Sequence, residues 1–237
     1  MNRSLFRMAA IALTGVTVIA GLTAYFTSGD TVTNSFRSAA LAIRVVEPHW
    51  IPDPTVIPEQ TVAKDPYIDN IDETPAYVFM EVTVPAEEIV LEHNAPDAEK
   101  GLPDSIISVP LFRFINSTPA YTEDQKSTEQ AVNKNWYLLE TEAHRDSAGA
   151  LTDITYLYAY VLDNASPEMK VLPPGKRTDT PLFNEVLFCN AREDDALSGS
   201  RQNIQIKVYG IQTDYLISSE RSESEAEKVW QILSEKS

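Results

Sequence analysis

The sequence is poor in several residue types on which common protein classes depend. It contains one cysteine and eight glycines in 237 residues, and its 19 Lys and Arg stand against 35 Asp and Glu. With only Cys189, no disulfide can form within the chain. Few glycines leave little material for a glycine-rich loop around phosphate groups. The formal net charge of −16 argues against nucleic acid or an anionic lipid surface as a partner, because both require clustered Lys and Arg.

Catalytic and metal-binding motifs are lacking as well. None of the three histidines, His49, His93 and His144, belongs to a His-Glu-x-x-His pair. No Gly-x-Ser-x-Gly elbow occurs, and Ser198-Gly199-Ser200 lies in a polar segment with no strand leading into it. His93 and His144 have acidic neighbours, but an acid-rich chain places such neighbours by chance. We therefore expect no catalytic residue, no metal and no cofactor, with a metal site assembled by the fold as the alternative.

Apolar residues are plentiful enough to build a core. Hydrophobic residues make up 43% of the chain and aromatic residues 9%, which is more than a disordered acidic chain carries. Cys189 follows Leu187 and Phe188, which predicts a buried small hydrophobic residue and not a nucleophile. Without disulfides, we expect the core alone to hold the fold, with no cross-links.

The N-terminus has the pattern of an export signal. Two arginines precede an uncharged apolar stretch at residues 8–24. Small Ala24 suits the position before the cut, which predicts that a signal peptidase cleaves between Ala24 and Tyr25. Cleavage removes a helical signal peptide, residues 1–24, and with its two arginines takes the net charge from −16 to −18. The alternative is an uncleaved membrane anchor, although the stretch is short for a bilayer of about 30 Å.

Strand patterns dominate the rest of the chain, residues 25–237. Val78, Met80, Val82 and Val84 alternate with Phe79, Glu81 and Thr83, which is typical of a strand with one buried face. Further candidate strands are residues 33–38, 41–46, 109–115, 136–141, 154–161, 183–188, 204–208 and 211–217. Proline-rich segments separate many of them. This pattern predicts one all-β domain, an antiparallel β-sandwich.

Two acidic stretches, residues 86–104 and 121–135, are predicted to be loop insertions between strands. Most of each stretch is expected to be solvated surface. A short helix at apolar points such as Ile89-Val90-Leu91 is the alternative.

The spacing of polar and apolar residues predicts a helix at the C-terminus. Ser222 and Glu225 have the spacing of a capping box, and four apolar residues then fall on one face at helical spacing: Ala226, Val229, Trp230 and Leu233. We expect this amphipathic helix to pack on the body of the domain. Docking to a partner is the alternative.

Three proline-containing runs predict turns and strand boundaries, and not a catalytic or binding site. In Lys64-Asp65-Pro66, the proline forces an extended residue before it and marks a strand start or a bend at an edge. Pro173-Pro174-Gly175 ends a strand, and Gly175 supplies a positive φ for a tight reversal. Pro181-Leu182-Phe183 is expected to begin the next strand.

Six runs of residues, spread over most of the chain, together carry a family resemblance. They are Leu22-Thr23-Ala24-Tyr25-Phe26-Thr27-Ser28-Gly29-Asp30-Thr31-Val32-Thr33-Asn34-Ser35-Phe36, Leu41-Ala42-Ile43-Arg44-Val45-Val46-Glu47-Pro48, Lys64-Asp65-Pro66-Tyr67-Ile68-Asp69-Asn70, Ala76-Tyr77-Val78-Phe79-Met80-Glu81-Val82-Thr83-Val84-Pro85, Leu172-Pro173-Pro174-Gly175-Lys176-Arg177-Thr178-Asp179-Thr180-Pro181-Leu182-Phe183 and Ile206-Lys207-Val208-Tyr209-Gly210-Ile211-Gln212-Thr213. Taken together, the runs resemble the camelysin and TasA family of exported proteins in Gram-positive bacteria.

The resemblance implies a jelly-roll-like β-sandwich that a dedicated signal peptidase processes and that is secreted to the cell surface or extracellular matrix. It implies self-association into biofilm fibres, in which the N-terminal segment of one subunit completes a sheet of its neighbour. Phe26, Val32 and Phe36 share one parity in the first mature segment and are the candidate donor-strand residues. The alternative is that this segment pairs within its own domain.

The same resemblance leaves two alternative functions open. Camelysin is described as a metallopeptidase, but no catalytic motif matches here, so no catalytic residue is carried over. A surface adaptor or adhesin that does not polymerise fits the same fold. We therefore interpret the protein as a structural subunit of the extracellular matrix or cell surface.

Overall fold

The computed structural model describes residues 28–31, 34–35, 41–51, 60–90, 106–116, 131–189, 203–213 and 225–235. The signal segment, the predicted cut between Ala24 and Tyr25, and the candidate donor residues Phe26, Val32 and Phe36 lie outside these ranges. Within them, the chain consists of antiparallel strands and one helix, so the predicted all-β class is confirmed. No helix in this described part is long and apolar enough to cross a membrane.

Thirteen strands and one helix occur in the described ranges. They are β1 Ser28–Thr31, β2 Asn34–Ser35, β3 Ile43–Val46, β4 Thr61–Ala63, β5 Tyr67–Asn70, β6 Ala76–Val90, β7 Ile106–Pro110, β8 Phe112–Ile115, β9 Trp136–Arg145, β10 Leu151–Asp163, β11 Ser166–Met169, β12 Glu185–Phe188, β13 Gln205–Gln212 and α1 Glu225–Ser234. Of these, β1, β4 and β11 were not predicted, and β5 begins directly after the Lys64-Asp65-Pro66 run, for which a strand start was one of the two predictions.

Among the described strands, eight form one large sheet. Its order is β11-β10-β6-β13-β1-β2, with β7 beside the distal half of β6 and β9 beside β10. A second sheet has the order β4-β12-β8, and a third pairs β3 with β5. Every pair of neighbouring strands is antiparallel.

The main core lies between the large sheet and the two smaller sheets. One face of β6 and one face of β10 enter it, and the smaller sheets contribute apolar residues from the other side. Its members include Val78, Met80, Val82, Val84, Tyr156, Tyr158, Tyr160, Ile43, Ile68, Phe114, Phe183 and Val186. The alternation that the sequence showed at residues 78–84 therefore does mark a face that packs in the core.

The opposite face of the large sheet is also buried, because α1 packs on it. Phe79, Leu157 and Ile211 contact the apolar side of the helix, which consists of Ala226, Val229 and Leu233 with Trp230 beside them. The prediction that the helix packs on the domain is confirmed. The prediction that this strand buries only one face was wrong at Phe79, which is fully buried.

The first acidic stretch does not begin as a loop. Residues 86–90 continue β6 and pair with β7, with Ala86 opposite Pro110 and Val90 opposite Ile106. The prediction of a solvated insertion from residue 86 was wrong there, as was the alternative of a helix at Ile89. The reason is a partner strand distant in sequence, which local composition does not reveal.

The predicted strand 109–115 is two strands, because the chain leaves the large sheet at Leu111. The Leu111 N–H donates to Pro85 O at 2.9 Å, and β8 then pairs with β12 in the smaller sheet.

The end of the second acidic stretch, residues 131–135, is not solvated surface as predicted. Four of its residues are buried: Ala131, Val132, Asn133 and Asn135.

Two other predictions needed correction. The candidates 204–208 and 211–217 meet in one continuous strand, β13 Gln205–Gln212, and residues 214–217 lie outside the described residues. The run Pro181-Leu182-Phe183 does not begin a strand, because β12 starts at Glu185 and Leu182 and Phe183 are buried just before it. Gly175 has φ +65 in a turn, as predicted, with Lys176 N donating to Pro173 O.

Candidate functional site

The first described segment of the chain lies at the edge of β13. In β1, Ser28 stands opposite Gly210 and Thr31 opposite Lys207, in an antiparallel ladder. This is the arrangement in which the N-terminal segment pairs within its own chain. The candidate donor residues Phe26, Val32 and Phe36 lie outside the described residues, so their part in this edge stays a prediction.

Within the described residues, β1 pairs with β13 over four residues and with β2 over two, and β13 pairs with β6 over eight. Without β1, residues 207–210 of β13 present an unpaired row of N–H and C=O groups. Such an edge accepts an extended strand from any chain that fits it.

Leu41 and Ile43 fix the start of the next described segment to the core. Leu41 and Ile43 are buried and lie over Gly210, where an added Cβ would approach Leu41 Cδ2 to 2.9 Å and Ile43 Cδ1 to 3.0 Å. Between them, the Ala42 N–H donates to Asp72 Oδ2 at 2.9 Å and Ala42 O accepts from the Ile71 N–H. Any exchange of the N-terminal segment therefore has its boundary before Leu41.

A cluster of charged side chains holds the turn after β3. Lys64 and Asp65, in the predicted architectural run, are both buried. Lys64 Nζ lies 2.7 Å from Glu47 Oε1. The two carboxylate oxygens of Asp65 accept from the His49 N–H at 3.0 Å and contact His49 Nδ1 at 2.7 Å. This run does bend the chain between β4 and β5, and in addition it fastens the turn at residues 47–50.

A second charged group crosses the outer side of the small β3-β5 sheet. Asp69 receives hydrogen bonds from Arg44 at 3.0 Å and from Arg177 at 2.6 Å. Burial alone raises the pKa of Asp69, but the hydrogen bonds and charges of Arg177 and Arg44 outweigh it, so the pKa lies below its usual value. The hydrogen bond to Asp69 in turn raises the pKa of Arg177. The group ties β3, β5 and the 172–180 segment together.

A third polar group lies on the helix side of the large sheet. Glu81 accepts from Lys207 Nζ at 2.8 Å and from the Tyr209 hydroxyl at 3.1 Å. Burial and the Glu81 charge raise the pKa of Tyr209, so this hydroxyl stays a proton donor. Lys207 and Tyr209 stand on β13 in register with Thr31 and Gly29.

The residues considered for catalysis or metal binding are not gathered together. His144 Nε2 lies 3.8 Å from both Glu142 Oε2 and Asp153 Oδ1, which is too long for a hydrogen bond. Over the described residues, no group of three or more His, Cys, Asp or Glu is arranged to hold a metal ion; His93 lies outside them. Cys189 is buried, and burial raises its pKa to about 11, which confirms that it is not an activated nucleophile.

The buried charges of Lys64 and Asp65 were not predicted, because the proline by itself accounts for a bend or a strand start at this run. The sequence does contain a sign that these two side chains are buried. Lys64 and Asp65 lie between the apolar pair Val62-Ala63 and the strand that begins at Tyr67. The sequence does not indicate their partners, Glu47 and His49.

Searches with the whole chain against protein-family models, curated proteins and solved structures found no match. The resemblance to the camelysin and TasA family thus depends on the sequence runs alone.

Proposed function

We propose that this protein is an exported structural subunit of the cell surface or extracellular matrix that assembles into fibres by N-terminal strand addition. A signal peptidase releases the segment that begins at Tyr25, and the mature domain is a jelly-roll-like sandwich. In the fibre, β1 of one copy lies along β13 of the next copy.

The observation that supports this proposal most strongly is the position of β1. It lies beside β13 near one end of the large sheet, with the two-residue strand β2 next to it, it pairs with β13 over four described residues, and the first buried core residue that the structure describes after it is Leu41. A strand that completes its own sheet in one copy completes the sheet of another copy with the same hydrogen bonds when it is exchanged. If each copy donates to the next, the contact does not close, and a filament results.

Net charge sets the conditions for assembly. The mature chain carries a formal charge of −18 once the two arginines of the signal are removed, and like charge opposes association. Salt screens this repulsion, and lower pH reduces it. Assembly should therefore strengthen as salt rises or pH falls.

The test compares the mature chain from Tyr25 with a chain that lacks residues 25–31. We expect the mature chain to form filaments in electron micrographs at raised salt or lowered pH. The truncated chain should keep its circular dichroism spectrum and stay monomeric. Filaments that form equally well without residues 25–31 would contradict strand addition.

A synthetic peptide of residues 25–36 provides the matched control. It should bind the truncated chain, and the same peptide with Gly29 and Asp30 replaced by proline should not, because proline cannot donate to the ladder. A mature chain that stays monomeric under every condition would favour the adaptor function instead.

A further inference from the structure

The pair formed by Glu47 and Lys64 is unusual among the ion pairs in the described part of the chain, because both side chains are buried. Lys64 Nζ lies 2.7 Å from Glu47 Oε1, and the side chains are 5% and 7% exposed. In each of the other Lys and Arg ion pairs between described residues, at least one side chain is far more exposed, as with Asp179 at 60% in its pair with Lys170. Two charges buried together lose their hydration, and only good additional hydrogen bonding offsets that loss.

That additional hydrogen bonding is missing at one atom of the pair, Glu47 Oε1. Glu47 Oε1 makes no hydrogen bond, so its 2.7 Å contact with Lys64 Nζ is not aligned as one. The Trp50 ring lies over the ammonium group, with 4.2 Å from Nζ to the ring centroid. The nitrogen is therefore held against the carboxyl group in a water-poor site.

Both partners are fixed by backbone contacts. The Lys64 N–H donates to Asn184 O at 3.1 Å, and the Trp50 N–H donates to Glu47 O at 3.3 Å within the turn. The neighbouring residues bind each other as well, since Asp65 holds His49 through both carboxylate oxygens. Two groups held in contact on rigid segments react as if at very high concentration.

We propose that Glu47 and Lys64 form an isopeptide bond within the chain. One proton passes from the Lys64 ammonium to the Glu47 carboxylate, which gives an amine and a carboxylic acid. The amine nitrogen attacks Glu47 Cδ, the new C–N bond forms, and a C–O bond breaks. The hydroxyl leaves with a proton from the nitrogen, so the products are one amide and one water. No oxidant or other reactant is needed.

The bond would have a clear structural role. It joins the turn after β3 to the end of β4 and closes a loop of residues 47–64. The chain has one cysteine and cannot use a disulfide for this purpose, and closing a loop covalently restricts the unfolded state in the same way. It also replaces two buried charges with a neutral amide, which removes the cost of their desolvation.

Peptide mass analysis of the purified wild-type protein tests the proposal directly. Trypsin cleaves after Arg44 and after an unmodified Lys64, and the next site is Lys100. A bonded Lys64 is not cleaved, so we expect a peptide of residues 45–100 whose mass is lower by about 18 Da, the mass of one water. Fragmentation between residues 47 and 64 should leave the two pieces joined.

The same digest contains an internal control. Lys170 also touches a carboxylate, that of Asp179, but on the surface and as a hydrogen-bonded pair. It should be cleaved normally. The variants E47A and K64R should release residues 45–64 as a free peptide of full mass. Release of that unmodified peptide from the wild-type protein, or a peptide 45–100 of full mass, would overturn the proposal and leave an ion pair only.

Discussion

The indole ring of Trp230 packs against the phenyl ring of Phe79, with 5.2 Å between the ring centroids. Phe79 lies in the middle of β6, on the face that alternation assigned to solvent, and Trp230 lies on α1, near the end of the chain. The same indole contacts Tyr209 of β13 at 5.3 Å. One helical residue thus covers two neighbouring strands, and it explains why the centre of the large sheet is buried on both faces.

Replacing Trp230 with alanine should destabilise the protein. We expect W230A to lower the free energy of unfolding by about 3 kcal/mol, because aromatic-to-alanine changes remove both packing and buried area. Chemical denaturation followed by circular dichroism measures this loss. The control is Q231A on the exposed side of the same helix, which should change the free energy of unfolding by less than about 0.5 kcal/mol. Equal losses in the two variants would mean that the helix is not packed as described.

Asp69 should contribute stability that disappears in acid. Its pKa is lowered in the folded protein, so its contribution is full above the unfolded-state value and is lost as pH falls through the folded-state value. D69N should therefore be less stable than wild type by about 2 kcal/mol at pH near 7, since two charged hydrogen bonds are weakened. The difference should stay constant down to about pH 5 and shrink below about pH 4.

The measurement is urea denaturation of both proteins at several pH values. E140Q, on the exposed side of β9, serves as the control for a change of net charge. A gap between wild type and D69N that persists unchanged into acid would contradict the ion-pair explanation.

The Cys189 thiol should resist chemical modification in the folded protein. Burial raises its pKa to about 11 from an ordinary value of 9, so the reactive thiolate is about 100-fold scarcer at neutral pH. An aromatic disulfide reagent should label the native protein at least that much more slowly than the urea-unfolded protein. Since the chain has no other cysteine, the absorbance change reports this residue alone. Fast labelling of the native protein would show that this end of β12 opens.

Gly210 should not tolerate a side chain. A Cβ there would lie 2.9 Å from Leu41 Cδ2 and 3.0 Å from Ile43 Cδ1, which is too close, and G210A should cost about 2 kcal/mol of stability through overpacking. In a background of L41A, the nearest methyl group is gone, so the same change should cost clearly less. A double-mutant cycle measured by denaturation separates these effects. Additive losses would mean that the two residues do not touch.

Local pattern predicted several elements correctly for a simple physical reason. Residues two apart in a strand share a face, as do residues three or four apart in a helix. The period therefore identifies the core residues at the even-numbered positions of β6 from Val78 to Val84, and it also identifies the apolar side of α1. The burial of Cys189 followed in the same way from its apolar neighbours.

The local sequence pattern did not predict strand pairing between segments that are distant in sequence. The strand at residues 86–90 exists because β7 lies beside it, and its acidic composition alone indicates a loop. Likewise, the break at Leu111 depends on Pro85 O, and the short strands β4 and β5 depend on partners elsewhere in the chain. Strands of three or four residues carry too few alternations to be recognised on their own.

The sequence by itself determined the all-β class, the C-terminal helix, the exclusion of an internal disulfide and the buried state of the cysteine, because each depends on composition or on neighbours within one turn or strand. Tertiary structure alone decided that β1 lies along β13, that Trp230 covers Phe79, and that Lys64 meets Glu47. Those contacts join residues far apart in the chain, and their free energy depends on geometry that only the packed sheets supply.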